Sequence, residues 1–165
     1  MNGRNGTGRR TRIAWWCFAA IAALLLFSGH LTAGQPGAVR QKITFVPSGA
    51  SVIAEKADSP EKRTRGLMFR TSLGETEGMI FYFGQPGRHP FWMHNTRIPL
   101  TVIFLDDALR IVDMRNMSPC LERDPDRCPI YAPGADAGYA VEVNQGFVGK
   151  HRIKIGDHVI IEEVR

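Results

Sequence analysis

The sequence predicts a β-rich α+β fold: a single compact barrel-like sheet domain with two short helices. Short apolar or alternating runs bounded by Gly, Pro and Asp recur along the chain, which is the rhythm of strands and turns. Helical signals are confined to two brief stretches. One run, "VIFL" at 102–105, is apolar at every position and needs cover on both faces, as a central strand does.

Taken in order, strands are expected at 41–46, 51–57, 79–83, 91–94, 100–105, 109–115, 139–143 and 158–164. In "DSPEKRTRGLMF" Ser59 can cap a helix, Pro60 suits its first position and Glu61 favours its positive end, which predicts a helix over 60–68. Asn144 is the expected cap of a second helix in "QGFVGKHR". Gly146 and Gly149 weaken that helix, so packing of Phe147 and Val148 must hold it. Gly156 and Asp157 make a tight turn into the last strand. The connection 118–137 is long for a compact domain.

The N-terminus has a different character. Arg4, Arg9, Arg10 and Arg12 precede residues 13–27, which carry no charge. A positive stretch followed by an apolar one shorter than the ~20 residues of a spanning helix is the pattern of a signal peptide. Residues 1–33 are therefore expected to be a signal peptide, cut near Ala33 or Gly34, with an uncleaved N-terminal membrane anchor as the alternative. Residues 34–40 read as a linker, and 41–165 as one β-rich domain. The protein is expected to be exported, periplasmic or secreted, and to meet a membrane only through that segment if it stays uncleaved.

The formal charge of +5 becomes +1 without the four N-terminal arginines. A nucleic-acid partner requires a concentrated basic stripe, and none is visible. Cys120 and Cys128 flank the proline-bounded "PCLERDPDRCP". In an exported chain two cysteines are expected to form a disulfide, and their spacing fits neither a redox Cys-x-x-Cys nor a zinc set.

"HPFWMHNTRIPL" (89–100) concentrates the side chains that could carry chemistry. Strand alternation places Phe91, Met93 and Asn95 on one face and Trp92, His94 and Thr96 on the other. Copper or zinc binding by His89, His94 and Met93 is an alternative, but alternation separates Met93 from His94. The simpler reading puts Phe91 and Met93 in the core with His94 hydrogen-bonded at its edge, so no metal or cofactor is expected. Glu142 interrupts the apolar "YAVEVN". Ordinary alternation turns it outward, with Tyr139, Val141 and Val143 buried. If it faced inward it would be the best single candidate for a general base. The adjacent pairs Asp106 and Asp107, and Glu162 and Glu163, diverge in extended chain. No Gly-x-Ser-x-Gly elbow occurs. Arg63, Arg65, Arg70 and Arg88 read as scattered solvated charges, the alternative being a cluster around an anion.

"RTRGLMFRTSLGETEGMIFYF", "PFWMHNTRIPL", "SPC" with "CPIY", "YAVEVNQGF" and "HRIKIGDHV" together resemble the family known as domain of unknown function 192, small and often exported prokaryotic domains, over about 41–164. The chain departs from the pattern at three points. His94 stands where lysine is common, Thr101 where aspartate often follows "IPL", and "DDALRIV" lacks the usual glycine. The resemblance supports the fold class and carries no reaction with it.

The expected function is a non-catalytic envelope or secreted module binding a small molecule, glycan or peptide through Trp92, His94, Asn95, Tyr131, Glu142 and Asn144. A hydrolase-like enzyme using Glu142 or His94 is the competing reading, and no catalytic set is assigned.

Overall fold

The computed structural model describes residues 39–164. The expected signal peptide or anchor, and the linker up to residue 38, lie outside the described residues. Strand β1 (Arg40–Val46) pairs antiparallel with β2 (Ser51–Ala57). Gly49, at φ 74°, closes the turn between them, a left-handed conformation that glycine adopts at little cost. Helix α1 (Pro60–Arg65) leads to β3 (Glu77–Gly87), which lies parallel to β2. Ser59 Oγ accepts from the Lys62 amide at 3.3 Å, the expected cap. The helix stops three residues before the expected end because Gly66 takes φ 46°.

β4 is only Phe91–Trp92, and β5 is Leu100–Leu105. β6 (Ile111–Met117) follows, then β7 (Ile130–Tyr131), β8 (Ala137–Asn144), helix α2 (Phe147–His151) and β9 (His158–Glu163). Seven strands form one curled sheet in the order β6-β5-β8-β3-β2-β1-β9, and β4 pairs with β7 apart from it. The sheet is half a barrel. Its two outer strands approach at one end, where Arg110 bridges His158 and the Ile111 amide donates to Asp157 O at 2.9 Å.

All six residues of β5 are buried, as its uninterrupted apolar run predicted. Leu100, Val102 and Phe104 join one core cluster, while Ile103 and Leu105 join a second on the opposite face. β8, beside β5, is covered in the same way, with Ala140 in the first cluster and Val141 and Val143 in the second.

Three local expectations are corrected. The strand expected at 91–94 ends after Trp92, because Asn95 turns the chain at φ 56°. Alternation therefore fails beyond His94, and Thr96 is buried while Trp92 is 36% exposed. The strand expected at 109–115 starts later, since Leu109 sits at φ 58° in a turn that Asp106 fastens by accepting from the Arg110 amide. Asn144 does not cap α2. Its N-cap is Gly146, with no side-chain hydrogen bond, and the Asn144 amide instead donates to Leu73 O and Gly74 O.

The connection 118–137 is more ordered than its length implied. It holds a 3₁₀ turn (Pro125–Arg127), β7 and the Cys120–Cys128 disulfide. Closing so short a loop contributes on the order of 2.5 kcal/mol by the chain-entropy account. Asp113 ties its far end, accepting from the Gly134 amide at 2.7 Å.

Candidate functional site

The site begins with Glu142, in a strand flanked on both sides. Met79 of β3 and Val102 of β5 are its register neighbours. Its side chain shares a face with Ala140, towards the first core cluster, and is 4% exposed. The outward reading of Glu142 is thus corrected. Alternation marks the exposed face only when one face is exposed, and β8 is covered on both.

Oε2 of Glu142 has no hydrogen-bond partner. Burial pushes its pKa up to about 8, and the positive charge of Arg70 offsets only part of that rise. Arg70 is itself held by Glu55, to which its Nη2 donates at 2.7 Å. Near neutral pH the Glu142 carboxyl is accordingly protonated, a neutral donor and acceptor in an apolar setting.

Beside this carboxyl lies a pocket of about 290 Å³. Arg63, Thr64 and Arg65 of α1 form one side, with Gly66, Leu67 and Met68 following. Phe81 and Phe83 of β3, the segment from His89 to Trp92, and Thr96 complete the lining with Glu142. Two glycines adjoin Glu142, Gly78 in a tight approach and Gly66 in ordinary contact. A Cβ at Gly78 would stand 2.6 Å from Glu142 O, so glycine allows β3 to lie tightly on β8. A Cβ at Gly66 would stand 3.9 Å from Glu142 Oε2 and 3.7 Å from the Phe81 ring.

The aromatic wall is ordered by its own packing. Phe91 meets Phe81 edge-on at 4.9 Å and Phe83 at 6.3 Å, geometries that aromatic quadrupoles favour. His89 stacks on Phe83 at 4.0 Å, and its Nε2 lies 2.9 Å from Gln85 O.

Of the six residues expected to form a binding site, Trp92 and Glu142 line this pocket, and the other four do not. His94 lies against Trp92, ring centroids 5.4 Å apart, with its Nδ1 3.2 Å from the Asn95 side-chain amide. Tyr131 packs at the edge of the core, and its hydroxyl accepts from the Ser118 amide. Asn144 serves the 73–74 turn. A hydrolase site joining Glu142 to His94 and Asn95 is therefore not assembled in this pocket.

Met93 is fully buried in the first core cluster, as the simpler reading held. Among the described residues no group of three or more His, Cys, Asp or Glu is placed to hold a metal. Arg63 and Arg65 both border the pocket, Arg65 exposed as the solvated reading expected and Arg63 half-buried with its guanidinium on Tyr82 O. The signal that could have placed them was their position just before Gly66, where the chain leaves the helix and closes over Glu142.

Fold and site define a small β-rich domain with a neutral buried acid in the wall of a surface pocket. Residues 43–161 match the family DUF192, described as an uncharacterised ACR, and the chain belongs to that family. The crystal structure of a proposed transcription regulator from Sinorhizobium meliloti 1021 is similar, with 26% identity and a TM-score of 0.69 over 78% of this chain and 98% of that one. A protein of unknown function from Novosphingobium aromaticivorans DSM 12444 is also similar, with 32% identity and a TM-score of 0.64 over 78% of this chain and 91% of that one. None of the curated proteins matches the chain.

Proposed function

We propose that the protein is a non-catalytic exported module that binds a small molecule, or the end of a glycan or peptide, in the pocket beside Glu142. One observation carries this reading: Glu142, whose Oε2 is buried and unpartnered, lines a pocket large enough for a small ligand. An unmet buried polar group costs about 1–3 kcal/mol, and a ligand that completes its hydrogen bond recovers that cost. Binding sites commonly combine apolar walls with a few placed polar groups, as Phe81, Phe83 and Trp92 do here with Glu142. Export is supported by the arginine-rich start, the uncharged run after it, and a disulfide that persists best in an oxidising compartment.

Glu142 also favours a second reading. A carboxyl with a pKa of about 8 is suited to general acid–base work near neutral pH, and His89 lines the same pocket. Binding is the better account, because among the described residues neither lining hydroxyl, Thr64 or Thr96, is hydrogen-bonded to His89 or Glu142, as a nucleophile activated by a base would be. Screening the purified full chain against glycan and peptide libraries tests it, with Trp92→Ala and Glu142→Ala as controls. Hits lost in both variants support binding in this pocket. Hits unaffected by either variant sink it, as does consumption of a ligand by the wild type but not by Glu142→Ala.

A further inference from the structure

The charge and shape of the pocket narrow what it can take. Arg63 and Arg65 both line it, and among the described residues neither lies within ion-pair distance of a carboxylate. Arg63 spends one donor on Tyr82 O at 3.0 Å, which fixes its guanidinium and leaves further N–H groups of its fork. Glu142 is the only acid in the lining.

The charged and titratable groups around Glu142 are therefore few. α1 brings Arg63 and Arg65, the segment after it brings Arg70 held by Glu55, and the segment before β4 brings His89. Its neighbours Met79 and Val102 are uncharged. An aromatic wall beside an acid would suit an ammonium ion, but here that ion would meet two lining arginines. The same arginines suit an anion, to which Glu142 presents a proton rather than a like charge.

We propose that the pocket binds a small carboxylate with a flat cyclic body, its carboxylate on Arg63 and Arg65 with one of its oxygens also accepting from the Glu142 hydroxyl, and its body against Phe83 and Trp92. This rests on the binding reading above and adds the ligand's charge and shape. No bond is made or broken in the ligand. The proton stays on Glu142 and is shared in the hydrogen bond.

The test uses three probes of one body and different charge on the full chain: phenylacetate, phenylacetamide and benzyltrimethylammonium. Binding is followed by NMR at the Trp92 indole N–H, assigned by its loss in Trp92→Phe. At about pH 6.5 phenylacetate binds tightest and the ammonium probe weakest. Arg65→Gln weakens phenylacetate about tenfold more than phenylacetamide, since only the former makes charge-assisted bonds. Phenylacetate affinity falls as pH rises through about 8, by about tenfold for each further unit. Glu142→Gln removes that fall, because a carboxamide donates at every pH. Preference for the ammonium probe, or phenylacetate affinity that is level or rising through pH 8, overturns the ligand class and leaves the pocket reading standing. No response at Trp92 to any of the three overturns this ligand class, while the library screen, which uses other bodies, decides the binding reading separately.

Discussion

Two acids are buried in the same sheet and are treated in opposite ways. Asp113 of β6, 9% exposed, accepts from the amides of Met114 and Gly134, both at 2.7 Å, and from Arg115 Nη2 at 2.8 Å. Glu142, two strands away in the sheet order and more deeply buried, leaves Oε2 with nothing. A fold that fully satisfies one buried carboxylate is able to satisfy another. Asp113 is thus a structural fastener with its oxygens paired, whereas Glu142 is kept neutral beside a space that a ligand can fill.

Changing pH breaks the comparison most sharply. The folded protein holds the Glu142 proton more tightly than the unfolded chain does, with a pKa of about 8 against an ordinary value of 4.5. Between those values the native state binds more protons, so stability falls as pH rises and levels off above about 8. The full shift corresponds to about 5 kcal/mol at most. Urea denaturation at acid, neutral and alkaline pH should show this decline in the wild type and little of it in Glu142→Gln, which becomes the more stable protein at alkaline pH. Equal slopes for the two would mean that Glu142 is already ionised when folded.

Asp113→Ala should act the other way, costing about 3 kcal/mol by orphaning the Met114 and Gly134 amides and freeing Arg115. The same urea titrations read it, and a loss comparable to that of an exposed acid would erase the contrast between the two sites. Replacing Cys120 and Cys128 together by serine should cost somewhat less, about 2.5 kcal/mol, and release the loop that Asp113 holds from its other end. Proteolysis should then cut first within 118–137. Cleavage elsewhere would show that Asp113 and its neighbours hold the loop unaided.

How much of this was legible depended on how local the cause was. β2 and β5 match their expected bounds because Pro, Gly and Asp mark both ends of an apolar or alternating run. α1 begins where Ser59 and Pro60 said it would. β7 escaped notice because a two-residue strand is held by its partner β4, and "CPIY" carries no period. Asn144 misled for a related reason. A side chain able to cap a helix is equally able to bind a turn formed some seventy residues earlier, and only the tertiary fold brings Gly74 to it. Glu142 sits in a pattern that is the same whether one face of its strand is wet or both are dry. The pocket drew its arginines from α1 and its aromatics from β3 and β4, a convergence that no single stretch encodes.

Gly66 gives that convergence a control point. At φ 46° it takes a backbone conformation that L residues rarely adopt, and its bare Cα faces both the Phe81 ring and the free oxygen of Glu142. Any side chain there would strain the backbone whatever the space around it, and would shift Arg65 and Leu67 on either side. Glycine at this one backbone position therefore sets where the arginines of α1 stand relative to Glu142, without contributing a polar group of its own.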